Sequence, residues 1–246
     1  MEKTVQIITS WLREQVEQAR VKGLIVGVSG GLDSAVVANL IKRAFPNDSL
    51  GVIMPLKSNP IDIKDAEKVV QACKINHMTI DLTETHQIMY KEIQNQIKAE
   101  QAWNEERDRI ADANLRARLR MSTLYTIATN YNYLVVGTDN AAEWFTGYFT
   151  KYGDGGVDLQ PIVDLTKKEV RELAAYLHVP TEVIEKNPSA DLWAGQTDEK
   201  EMGTTYDYID AYISGQPIPE KDRKVIERMH EQTEHKRNIA TQLRLK

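Results

Sequence analysis

Leu24-Ile25-Val26-Gly27-Val28-Ser29-Gly30-Gly31-Leu32-Asp33-Ser34 is the stretch that decides the fold. Its first six residues form a nearly continuous apolar run, as expected of a strand buried on both faces. Glycines then turn the chain, and residues 33–45 (DSAVVANLIKRAF) carry a helical pattern closed by Pro46. The same alternation continues downstream. Apolar runs at 50–54, 77–82 and 133–137 predict further strands covered on both faces. Helical patterns lie at 2–21, 61–74, about 84–131 with a break near Trp103-Asn104, 166–178, 203–213 and 220–235. The predicted class is α/β: a doubly wound, mostly parallel sheet with helices on both faces. Residues 151–160 and 186–203 carry no regular pattern, and long irregular segments of a compact chain tend to be functional.

Composition narrows the class further. The chain has 246 residues, enough to bury a large core as one domain over 1–246, with an N-terminal helix and a C-terminal helical segment. With 41% hydrophobic and 27% charged residues it is neither disordered nor fibrous. Mean hydropathy is −0.46, and no apolar run approaches the roughly 18 residues of a membrane span, so no membrane partner is expected. The 31 basic and 36 acidic residues leave a net charge of −5, which argues against a general nucleic-acid binder. A single cysteine, Cys73, excludes an intramolecular disulfide and points to a reducing, cytoplasmic setting. Cys73 itself reads as a small core residue.

The octapeptide Gly27-Val28-Ser29-Gly30-Gly31-Leu32-Asp33-Ser34 joins a strand end to a helix start. Such a loop aims backbone N–H groups and a helix N-terminus at one anion, and Ser29 and Ser34 add hydroxyls. It lacks the Gly-Lys-Ser/Thr ending of a Walker A loop and the spacing of a dinucleotide fingerprint. Asp33 stands where phosphate would come. A bare carboxylate there repels phosphate, and an intervening Mg²⁺ resolves the conflict. Taken alone, Asp33 reads equally well as a helix cap. After the strand at 133–137 comes Thr138-Asp139-Asn140-Ala141-Ala142-Glu143, at the carboxyl edge where open α/β sheets bind ligands. Glu143 is either a second carboxylate for the same Mg²⁺ or half of a capping box with Asn140.

The loop resembles the SGGxDS loop of the PP-loop ATP pyrophosphatases. Further segments single out one branch: NLRARLRM (114–121), GTDNAAEWFTGYFTKYGDGGVDLQPI (137–162), DLTK (164–167), NPSADL (187–192) and TEHKR (233–237). In that order they resemble the ammonia-dependent NAD synthetases over nearly the whole chain, and TGYFTKYGDGG is the most specific match. The resemblance implies an adenine nucleotide alpha hydrolase-like fold and a homodimer. It also implies a ligase that activates deamido-NAD with ATP and then forms an amide with ammonia, releasing AMP and pyrophosphate. By the same match, Gly27, Val28, Ser29, Gly30, Gly31, Leu32, Asp33 and Ser34 would hold ATP phosphate, with Thr138, Lys167 and Ser189. Asp33 and Glu143 would bind Mg²⁺. Arg118, Lys151, Asp158, His235 and Lys236 would bind deamido-NAD, and Lys151 and Lys167 would serve as the catalytic pair. Ser189 replaces the family threonine, keeping the hydroxyl and losing a methyl.

Helical spacing puts Arg118 on one face with Ala111, Leu115, Leu119 and Ser122, and turns Arg116 and Arg120 elsewhere. If that face is buried, Arg118 needs an anionic partner, whether substrate or an internal carboxylate. Lys167 has a bland alternative as an exposed lysine at a helix start, and His235-Lys236 as a basic helix end. The competing functions are another PP-loop enzyme, such as a GMP synthetase core or a tRNA-modifying enzyme, and a non-catalytic nucleotide-binding module. Glutamine-dependent relatives add a glutaminase domain. The synthetase segments fill residues 27–237, so free ammonia is the expected nitrogen source unless a separate subunit supplies it.

Overall fold

The computed structural model describes residues 1–186, 197–238 and 240–244. In chain order the elements are α1 (Glu2–Ala19), β1 (Gly23–Gly27), α2 (Leu32–Ala44), β2 (Ser49–Ile53), α3 (Pro60–Cys73) and β3 (Asn76–Thr79). Then come α4 (Thr83–Ala99), α5 (Asp108–Tyr131), β4 (Tyr133–Val135), α6 (Ala141–Thr146), α7 (Lys167–Tyr176) and α8 (Thr181–Ile184). The last three are α9 (Asp198–Met202), α10 (Tyr206–Ile213) and α11 (Glu220–Arg237). All strand pairs are parallel, in the order β3-β2-β1-β4.

Alternation along β1 sends Leu24 and Val26 to one face and Ile25 to the other. The first face packs on α1, α2, α3 and α7 in the largest core cluster. The second packs on Leu124 and Ala128 of α5. The chain steps outward from β1 to β2 to β3, then crosses back to place β4 on the other side of β1. The carboxyl ends of β1 and β4 therefore flank the switch point, where open α/β sheets leave a crevice.

Several expectations change. The strand expected at 77–82 is the edge strand β3. Asn76, His77 and Thr79 are exposed, so it is not covered on both faces. The long helical region breaks where expected, because Gln101 turns left-handed and Asn104 accepts bonds from Glu106 N and Arg107 N to start a 3-10 turn at Glu105–Arg107. The segment 186–203 is not wholly irregular, since it contains α9. The face assigned to Arg118 is also wrong. The buried line of α5 runs through Ala113, Arg116, Leu124 and Ala128, and Arg118 is exposed. Arg116 is the buried arginine, and Asp112 one turn earlier neutralises it at 2.9 Å. Cys73 is half-buried against the main core, where burial raises its thiol pKa and keeps it protonated.

Candidate active site

The loop after β1 is fixed by its own side chains. Ser29 Oγ lies 3.0 Å from Ser34 Oγ and accepts from Gly31 N at 3.2 Å. Ser34 Oγ donates to Gly31 O at 3.0 Å. Gly30 has φ +82°, and a Cβ there would meet Asp62 O at 2.3 Å, so only glycine fits. No side chain caps α2, whose N-cap is Gly31. Asp33 is therefore free of the capping role and reaches across the switch point.

Four elements converge on it. Lys167 Nζ, at the start of α7, lies 2.6 Å from Asp33 Oδ2 and 3.2 Å from Glu143 Oε1. Asn140 Nδ2 donates to Asp33 Oδ1 at 2.9 Å. Glu143 forms the capping box and still presents its second oxygen to the site. Its Oε2 closes the capping box on Asn140 N at 3.1 Å, while Oε1 faces Lys167. Tyr206 of α10 places its hydroxyl 2.9 Å from Glu143 Oε1 and 2.9 Å from Asp198 Oδ2, and its ring lies under the Lys167 ammonium at 4.7 Å. Lys167 is only 3% exposed, which rules out the solvated helix-start alternative.

The charges respond to this packing. Burial raises the Glu143 carboxyl to about 7, with Asp33 adding to the rise and Lys167 opposing it. Burial by itself disfavours the Lys167 ammonium, yet Asp33 and Glu143 outweigh it and hold its pKa above the usual lysine range. Asp139 is buried beside them. Burial first, then Asp154 and Glu143, drives its carboxyl well above the usual range, and Gln160 Nε2 donates to it at 3.0 Å.

These groups line a cleft of about 1040 Å³. Gly27, Val28, Ser29, Gly31, Leu32, Asp33, Ser34, Thr138, Glu143, Lys167 and Lys236 all face it, at the upper end of the usual ligand-pocket range. Its far wall is the turn-rich stretch after α6. Lys236 Nζ donates to Gly147 O at 2.7 Å and Phe149 O at 2.6 Å, and Thr233 Oγ1 donates to Thr146 O at 3.0 Å. Thus α11 holds the expected substrate loop by its main chain.

The remaining expected substrate residues gather outside the cleft lining. Arg118 Nε donates to Lys151 O at 3.3 Å, and Lys151 Nζ donates to His235 O. Asp158 is occupied by the fold, accepting from Tyr125 OH at 2.9 Å and Val135 N at 2.8 Å. Ser189 lies outside the described residues. Tyr206, Asp198 and Asp139 were not singled out from the sequence, since nothing local marks a lone tyrosine that joins two distant carboxylates.

A model of the NAD synthase family matches residues 4–240. The chain is similar to an NH(3)-dependent NAD(+) synthetase of Alkaliphilus metalliredigens, 58% identical over 95% of this chain and 94% of that one. Among solved structures it is similar to an NMN synthetase from Francisella tularensis, 37% identical with a TM-score of 0.90, covering 98% of both chains. It is also similar to an NAD+ synthetase from Burkholderia pseudomallei, 27% identical with a TM-score of 0.79, covering 96% of this chain and 89% of that one. The parallel sheet, the glycine-rich loop at its switch point and the family match over residues 4–240 agree: the chain belongs to the NAD synthase family.

Proposed function

We propose that this chain amidates deamido-NAD with free ammonia, using ATP. Family membership makes it a ligase that forms a C–N bond. The observation that carries the mechanism is the convergence of Asp33, Glu143 and Lys167 beside the phosphate loop. A nicotinate carboxylate oxygen attacks the α-phosphorus of ATP. The bond from that phosphorus to the β-phosphate bridging oxygen breaks, and pyrophosphate leaves with the electron pair. Ammonia then adds to the acyl carbon, the C–O bond to AMP breaks, and a proton is released. No side-chain nucleophile is required. Catalysis is positioning plus stabilisation of phosphate charge.

Among the described residues no group of three or more His, Cys, Asp or Glu could enclose a metal ion. Two carboxylates on a cleft wall beside a phosphate loop suit Mg²⁺, which completes its shell with phosphate oxygens and water. Asp33 and Glu143 would hold it, and when bound it neutralises charge on the phosphates. Lys167 balances the two carboxylates and offers an ammonium to phosphate. Ser29, Ser34 and the loop amides orient the leaving group, with Thr138 at the same edge. Lys236 sits on the deamido-NAD side of the cleft. Arg118, Lys151 and His235 form a contact set in which Arg118 and His235 are exposed and Lys151 is half-buried, which suits substrate binding near a homodimer interface. The functional unit is a single domain, and a reducing cytoplasm suits its lone thiol.

The likeness to the Francisella NMN synthetase favours a second acceptor, nicotinate mononucleotide. The 58% identity to an NAD(+) synthetase favours the dinucleotide. Comparing kcat/KM for the two acceptors decides between them, and a preference for the dinucleotide is expected. The adenylate is tested with deamido-NAD carrying ¹⁸O in its carboxylate. One labelled oxygen should appear in AMP. Unlabelled AMP would exclude an acyl adenylate.

A further inference from the structure

We infer that Arg171 grips the β- and γ-phosphates of ATP and the pyrophosphate they become. This rests on the functional reading above. Arg171 follows Lys167 by four residues on α7, so both leave the same helix face, and both line the cleft wall with Gly31 and Asp33. Their partners differ. The Lys167 ammonium is shared by Asp33 and Glu143. The other lysine on that wall, Lys186, is shared by Asp62 and Asp65. On this wall the cleft-lining carboxylates Asp33, Glu143 and Asp62 face the two ammonium groups of Lys167 and Lys186, a formal net charge of −1 before Arg171 is counted, while Asp65 behind them is shared with Lys68. Such a wall repels a triphosphate.

Arg171 makes no hydrogen bond or ion pair among the described residues, and it is half-buried. Its guanidinium has a rigid fork of donors that matches two phosphate oxygens at once. Its position identifies the phosphates. Lys167 is tied to Glu143 on α6, and α6 leads into the loop expected to hold the acceptor. Arg171 stands one helical turn farther along α7, about 5 Å along the helix axis. On this inference it stands on the leaving-group side of the reaction, away from the α-phosphorus under attack.

The test is calorimetric titration of pyrophosphate and of AMP, each with Mg²⁺, into the full-length wild type, Arg171→Gln and Arg171→Lys. Steady-state constants and melting temperatures are measured alongside. In Arg171→Gln, pyrophosphate affinity should fall about tenfold or more. AMP affinity and the KM for deamido-NAD should stay at wild-type values, and Arg171→Lys should recover part of the loss. Unchanged pyrophosphate affinity in Arg171→Gln, or equal losses for pyrophosphate and AMP, would overturn the inference. Wild-type turnover that yields ADP would instead defeat the functional reading itself. Normal wild-type turnover with unaltered pyrophosphate binding would remove only Arg171.

Discussion

At the phosphate end of the cleft, charged side chains hold one another: Lys167 sits between Asp33 and Glu143, with Asn140 and Tyr206 closing the set. At the loop end, side chains of α11 hold backbone carbonyls: Lys236 takes Gly147 and Phe149, Thr233 takes Thr146, and Arg237 takes Phe145 at 3.0 Å. The first arrangement fixes charges at the edge of a parallel sheet. The second fixes the path of a chain that has no sheet to follow. Loss of one charge at the first end leaves another buried and unpaired, which is costly. The second end depends on main-chain geometry, so its most sensitive positions are those that a larger side chain would push apart.

Four substitutions probe that contrast. Asp33→Asn should lower turnover by about 10²–10³ at limiting Mg²⁺, because the proposed Mg²⁺ site loses a ligand, and should cost less stability than loss of Lys167, because Glu143 still pairs with that ammonium. Wild-type turnover at low Mg²⁺ would remove Asp33 from the metal site. Lys167→Met leaves Asp33 and Glu143 facing each other and should cost about 3 kcal/mol, or roughly 6–12 °C in Tm. Added Mg²⁺ should recover part of that loss in a thermal melt. An unchanged Tm would show that the phosphate end is not held by charge.

Gly147→Ala tests the loop end. Gly147 has φ +66°, and a Cβ there would meet Thr233 Oγ1 at 2.2 Å. A loss of about 1–2 kcal/mol is expected, with a raised KM for deamido-NAD and an ATP KM close to wild type. Equal changes in both KM values would mean that the two ends are one mechanical unit. The smallest effect is expected for Arg118→Ala. Arg118 is exposed and bonded to Lys151 O, so stability should change by less than about 0.5 kcal/mol. The KM for deamido-NAD should rise with ATP affinity unchanged.

The two ends were also unequally legible in the sequence. The phosphate end announces itself because β1, its glycine turn and α2 are contiguous, so Gly27 to Ser34 could be read as one device. Glu143 could be placed at the same edge because it follows β4 by a fixed short spacing. Its partnership with Lys167 and Tyr206 spans 24 and 63 residues, and no local pattern encodes such a contact. On α5, periodicity gave a consistent face but the wrong one. Arg116 is buried because Asp112 neutralises it, and an ion-paired arginine can occupy a core position that hydropathy assigns to water. Strand β3 looked like its neighbours because apolar content does not reveal which strand lies at the edge.

The central claim is that adenylation precedes amide formation in this cleft, and product stoichiometry tests it most directly. The purified chain is incubated with ATP, Mg²⁺, ammonium and deamido-NAD, and the products are counted. Equal amounts of NAD, AMP and pyrophosphate are expected, with no NAD and no sustained pyrophosphate release when ammonium is left out. ADP and orthophosphate in their place would contradict the account.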